Sequence, residues 1–81
     1  MATTEVRIPD DFWDRARGEE ASLINWLVAE GGRVQAGQEI AEIMFEKSTM
    51  IVSAPAAGTL HIEMPVDSVV RLGDVIARIE G

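Results

Sequence analysis

The chain has 81 residues, no cysteine, a single histidine and a formal net charge of −7. Without cysteine there is no disulfide and no thiolate for zinc or an iron–sulfur cluster, and one histidine, His61, excludes a multi-histidine metal site. The acidic balance disfavours nucleic acid and anionic membrane as partners, because both need clustered Lys and Arg.

Such a length is read as one domain over residues 1–81, with a thin core that covers about 60–65% of the surface exposed on unfolding. Met1 to Asp10 has no basic region followed by an apolar core, so no secretory signal is expected and a cytoplasmic location is the default. No apolar run reaches the roughly 20 residues of a membrane span. Asp11 to Glu20 is charged enough for a helical turn, but Gly18 and the short span favour a loop. Ile24, Trp26 and Val28 then alternate with other residues, which is the period of a half-buried strand. Gly31-Gly32 supplies a turn, and Val34 to Gly37 leads into the next strand. Ile40 to Phe45 and Thr49 to Val52 are apolar and strand-like. Pro55 and Gly58 break the chain. Leu60, Ile62 and Met64 alternate again, which turns His61 toward solvent. With no matching nucleophile, His61 is not read as a catalytic base, and no catalytic residue is assigned.

Sliding the chain by 36 positions brings Gly37 onto Gly73, Val34 onto Val70, Ile40 onto Ile76, Ala41 onto Ala77 and Ile43 onto Ile79. The same offset aligns Ile24 with Leu60, Trp26 with Ile62 and Val28 with Met64. Two copies of one unit follow. Each copy alone would expose an apolar face, so the copies must pack on each other. The expected fold is all-β: a sandwich or barrel of two similar antiparallel sheets related by a pseudo-twofold. Trp26, Val28, Ile62 and Ile76 are expected in the shared core.

Lys47 is the only lysine; every other basic residue is arginine. It lies between the two apolar runs, at a hairpin tip. A lone amine there suggests a covalent attachment point, whereas compositional drift from lysine to arginine is the bland alternative.

The segment Glu42-Ile43-Met44-Phe45-Glu46-Lys47-Ser48-Thr49, followed by Ala54-Pro55-Ala56-Ala57-Gly58, resembles the attachment segment of lipoyl domains from 2-oxo acid dehydrogenase acyltransferases. Glu20 to Glu42 and Leu60 to Glu80 resemble the same family. The resemblance implies a flattened barrel-sandwich hybrid, with Lys47 exposed at a hairpin and carrying lipoate through an amide. It implies a carrier without catalytic residues of its own, part of a dihydrolipoamide acyltransferase or free-standing. The implied partners are a lipoate ligase or lipoyl transferase, then a 2-oxo acid decarboxylase, an acyltransferase core and dihydrolipoamide dehydrogenase. Biotin is the alternative cofactor, because biotin carriers share the fold; their lysine is typically flanked by methionine, whereas Glu46 and Ser48 flank Lys47. An unmodified adaptor barrel is the third reading.

Four features depart from the family. Met44 and Phe45 replace polar residues, Asp67-Ser68 replace Gly-Asp, and the Pro9–Ala21 segment is longer by about three residues, well within loop tolerance. Glu46-Lys47 also lacks the Asn-Gly or Asp-Gly chemistry of a strong two-residue turn, so register must come from the flanking strands. Phe12 and Trp13 are expected beside Met44 and Phe45. They would form either a small satellite core or an apolar patch that selects the partner decarboxylase.

Overall fold

The computed structural model describes residues 2–81. Eight strands form in order: β1 (Thr3–Arg7), β2 (Glu20–Trp26), β3 (Arg33–Val34), β4 (Glu39–Phe45), β5 (Ser48–Ser53), β6 (Gly58–Ile62), β7 (Val69–Arg71) and β8 (Val75–Glu80). A single 3-10 turn, Arg15–Arg17, interrupts the loop between β1 and β2. The strands make two four-stranded antiparallel sheets, β1-β8-β6-β3 and β5-β4-β2-β7. Among the described residues no ladder joins the sheets, so the expected barrel-sandwich is at its sandwich end.

The repeat becomes visible as topology. By residue offset β2 corresponds to β6, β3 to β7 and β4 to β8. Each short strand crosses over: β3 pairs with β6, and β7 pairs with β2. The halves are therefore interlocked as well as stacked. Val34 and Val70, Ile40 and Ile76, Ala41 and Ala77, and Ile43 and Ile79 are all buried in one core. Gly37 and Gly73 adopt nearly identical left-handed conformations, with φ of +86° and +87°, which side chains avoid and glycine does not.

Strict alternation fails at one point. In β2 the register shifts between Leu23 and Asn25, a bulge that turns Leu23 inward in place of Ile24. Leu23 is fully buried, while Ile24 is half-buried. Of the four residues expected in the shared core, Ile76 is fully buried; Trp26, Val28 and Ile62 are only partly buried and pack against the core from its margin. The margin suits Trp26, whose indole Nε1 donates to the Met64 carbonyl at 2.9 Å and so ties the two halves together.

The break at Pro55–Gly58 also has a steric cause. A Cβ at Gly58 would lie 2.3 Å from the Glu80 carbonyl oxygen, so only glycine lets β6 approach the end of β8. At the second-half turn Asp67 takes φ +74°; its N–H donates to the Leu23 carbonyl at 2.7 Å, and the Ser68 hydroxyl donates to the Pro65 carbonyl at 2.6 Å. Among the described residues no helix is long and apolar enough to cross a membrane.

Candidate functional site

The hairpin of β4 and β5 pairs without interruption from Ala41↔Val52 to Phe45↔Ser48. Only Glu46 and Lys47 remain for the loop, which makes it a two-residue turn. Glu46 has φ +56°, as the primed hairpin turns require at their first central position. Glutamate is a poor choice for that conformation. The long ladder fixes the register, as the sequence led one to expect. Lys47 is exposed at the tip, and among the described residues it enters no ion pair.

The carboxylate next to Lys47 is held elsewhere. Glu46 Oε2 lies 2.7 Å from Arg17 Nη2. Arg17 ends the 3-10 turn, which Asp14 caps by accepting from the Ala16 N–H at 2.9 Å. Before that turn Trp13 stacks on Phe45, with ring centroids 4.8 Å apart and planes 8° from parallel. The Trp13 Nε1–H donates to the Gly18 carbonyl at 2.9 Å, closing the loop on itself. A Cβ on Gly18 would come within 3.2 Å of Phe45 Cε1, so the loop sits directly on that ring.

The four apolar residues expected together separate into three places. Trp13 and Phe45 are buried, at 8% and 7% exposure, and extend the main core. Phe12 is partly buried against the core and lines a groove with Pro9, Ile51 and Pro55, between the edge strands β1 and β5. Met44 alone faces outward and is exposed. The recognition-patch reading is therefore wrong for Trp13 and Phe45, because burying each other's faces is the more favourable use of two large rings. Met44 is in register with Ser22, and Ser22 with Val69, which is also exposed. Val69 matches Arg33 at the repeat offset, so its outward orientation was readable from the sequence. Arg17 was not: its partner lies 29 residues away, and nothing local signals it.

His61 faces outward as expected, but it is not free. Nδ1 is 3.1 Å from Glu30 Oε2 and Nε2 is 2.9 Å from Glu80 Oε2. The bond to Glu30, followed by that to Glu80, raises its pKa above the ordinary histidine value. Glu30 also accepts from the Ile62 N–H at 2.6 Å; that bond first, then His61, lowers its pKa below the ordinary carboxylate value. Both ring nitrogens are thus occupied by carboxylates. No cluster of three or more metal-ligating side chains occurs among the described residues.

A two-sheet sandwich with an exposed lysine at a tight hairpin defines a class: small domains suited to carry a covalently attached group. The family model described as "Biotin-requiring enzyme" matches residues 14–79, and the chain belongs to this biotin/lipoyl attachment family. The family binds either lipoate or biotin covalently. The chain is 36% identical over 58 residues to acetyl-CoA carboxylase 2 of Oryza sativa subsp. japonica, covering 72% of this chain and 2% of the carboxylase. It is 50% identical over 42 residues to the dihydrolipoyllysine-residue acetyltransferase component of the pyruvate dehydrogenase complex of Rhizobium meliloti, covering 52% of this chain and 9% of that protein. The same component from Staphylococcus aureus is 30% identical over 77 residues, or 94% of this chain and 17% of the relative. The chain thus spans only a small part of each of these relatives.

Proposed function

We propose that the chain is a lipoyl carrier, with the arm joined to Lys47 by an amide, serving a 2-oxo acid dehydrogenase complex. One observation carries the reading: the only lysine of the chain stands exposed on a two-residue turn, flanked by Glu46 and Ser48. The similarity to acetyltransferase components supports the choice of lipoate, since one of them aligns over 94% of the chain.

The site suits the group. A ligase must reach a primary amine, and a hairpin tip obstructs it least. The nearest carboxylate in sequence, Glu46, is engaged by Arg17, and among the described residues Lys47 enters no ion pair. Amide formation removes the ammonium charge and makes an already acidic surface more acidic. When bound, the lipoyl group supplies the reducible disulfide that a chain without cysteine lacks. The two sheets give the tip a rigid base, and tethering keeps the arm concentrated near the sites it visits. A lipoate ligase or lipoyl transferase would load it. A 2-oxo acid decarboxylase, an acyltransferase core and dihydrolipoamide dehydrogenase would then use it.

A biotin carrier is the second reading, favoured by the similarity to the rice carboxylase. The experiment is intact mass after incubation with ATP and either lipoate with lipoate ligase or biotin with biotin ligase. Wild type should gain one lipoyl group, and Lys47→Arg should gain none. Efficient biotin addition without lipoate addition would favour the second reading, and lipoylation of Lys47→Arg would remove Lys47 as the site.

A further inference from the structure

The turn that presents Lys47 is unfavourable on its own chemistry. Glu46 occupies a left-handed φ of +56°, a conformation unfavourable for a non-glycine residue. Such a conformation persists only where the surroundings over-determine it. The ladder fixes the strands as far as Phe45↔Ser48, but it does not reach the two loop residues. A second set of contacts does. Trp13 is stacked on Phe45, the residue before Glu46. The Trp13–Gly18 hydrogen bond closes the loop between them, and the capped 3-10 turn within that loop directs Arg17 onto the Glu46 carboxylate.

We propose that residues 13–18 form a clamp on the lysine hairpin, with Arg17 as a positioning residue that acts through Glu46 to order the turn bearing Lys47. The clamp divides its work. The aromatic stack is buried and anchors the loop, whereas the ion pair is exposed, at 64% and 47% of the two side chains. An exposed pair contributes little to global stability, so its effect is local. It draws the Glu46 side chain toward the loop and away from Lys47, and a modifying enzyme meets one preferred tip conformation rather than many. This role rests on attachment at Lys47.

The test uses the unmodified protein first, because turn order does not depend on which cofactor is attached. Backbone 15N order parameters at Glu46, Lys47 and Ser48 are compared in wild type, Arg17→Ala and Arg17→Lys, with thermal melts alongside. Lipoate ligase kinetics then follow on the same three proteins, with biotin ligase in parallel. Arg17→Ala should lower order at the three tip residues while the rest of the domain is unchanged. It should reduce the kcat/KM of modification about two- to fivefold, the factor that an exposed pair commands, and Arg17→Lys should recover most of the loss. Unchanged tip order in Arg17→Ala overturns the clamp, and so does an unchanged kcat/KM on a protein that is modified. If wild type accepts neither group, the attachment reading fails by itself, and the order parameters still decide whether Arg17 orders the turn.

Discussion

His61 illustrates how a single side chain couples the two halves to pH. Glu30 follows β2 in the first half, and Glu80 ends the second, so the imidazole between them bridges both. Arg78, its cross-strand neighbour, is turned toward Glu63 at 2.6 Å. The histidine pKa is raised, so protonation is favoured by folding. The contribution is fully present below the unfolded value of about 6.5 and is lost as pH rises through the higher folded value. Glu30 runs the other way: its lowered pKa gives a contribution that is present above the ordinary carboxylate value and lost as pH falls through the folded one. Both operate together in the weakly acidic range between those limits. An NMR titration of the His61 ring should therefore give a midpoint above about 6.5, and His61→Gln should flatten the alkaline limb of the stability profile. A midpoint at or below 6.5 would show that the carboxylates do not hold the ring in solution.

At the level of elements, the repeat offset matches β2 to β6 and β4 to β8 as equivalent strands of the two sheets, because equal spacings of Val, Gly and Ile occur in both halves. Side-chain direction was harder to read. Alternation assumes an unbroken pleat, and the bulge in β2 inserts a residue that has no partner. Alternation therefore points to Ile24 as the inward residue, whereas Leu23 carries the burial. The same limit explains why the buried neighbours Ile40 and Ala41 are both inward: the register of β4 shifts beside them. The lysine hairpin was legible because its signal is local, an isolated lysine between two apolar runs. The Trp13–Phe45 contact was legible too, from two apolar pairs in segments expected to meet; the Arg17–Glu46 pair was not, because it forms only through tertiary packing. The bulge can be tested by paired truncations under urea denaturation. Leu23→Ala should cost about 2–5 kcal/mol, and Ile24→Ala markedly less. Equal costs, or the reverse order, would contradict the inward turn at Leu23.

For the whole molecule, the pseudo-twofold assigns β1 a place that the residue offset cannot show. In one sheet β5 flanks β4; in the other, β1 flanks β8. Thr3↔Glu80 occupies the position of Met44↔Thr49, and the Gly81 N–H donates to the Ala2 carbonyl at 2.9 Å. The β8–β1 pair is thus a counterpart, in the other sheet, of the β4–β5 ladder that carries the lysine turn. The family match covers 14–79 and leaves β1 outside it. The packing disagrees with any minimal unit drawn at that boundary, since Val6 and Ile8 are each only 1% exposed and Trp13 is also in the core. Full burial of side chains like Val6 and Ile8 is worth about 1.5–3 kcal/mol each. A domain of this length has about 4–12 kcal/mol of net stability in all. Losing both residues, the Trp13 stack and the β1–β8 ladder would consume most or all of that, and would leave β8 with an unpaired edge. A chain beginning at Asp14 should therefore lack a cooperative thermal transition and bind an apolar dye, while the 81-residue chain melts in one step. A sigmoidal melt of the shortened chain, with wild-type dispersion in its NMR spectrum, would mean that the remaining seven strands suffice and that β1 is an accessory to the fold.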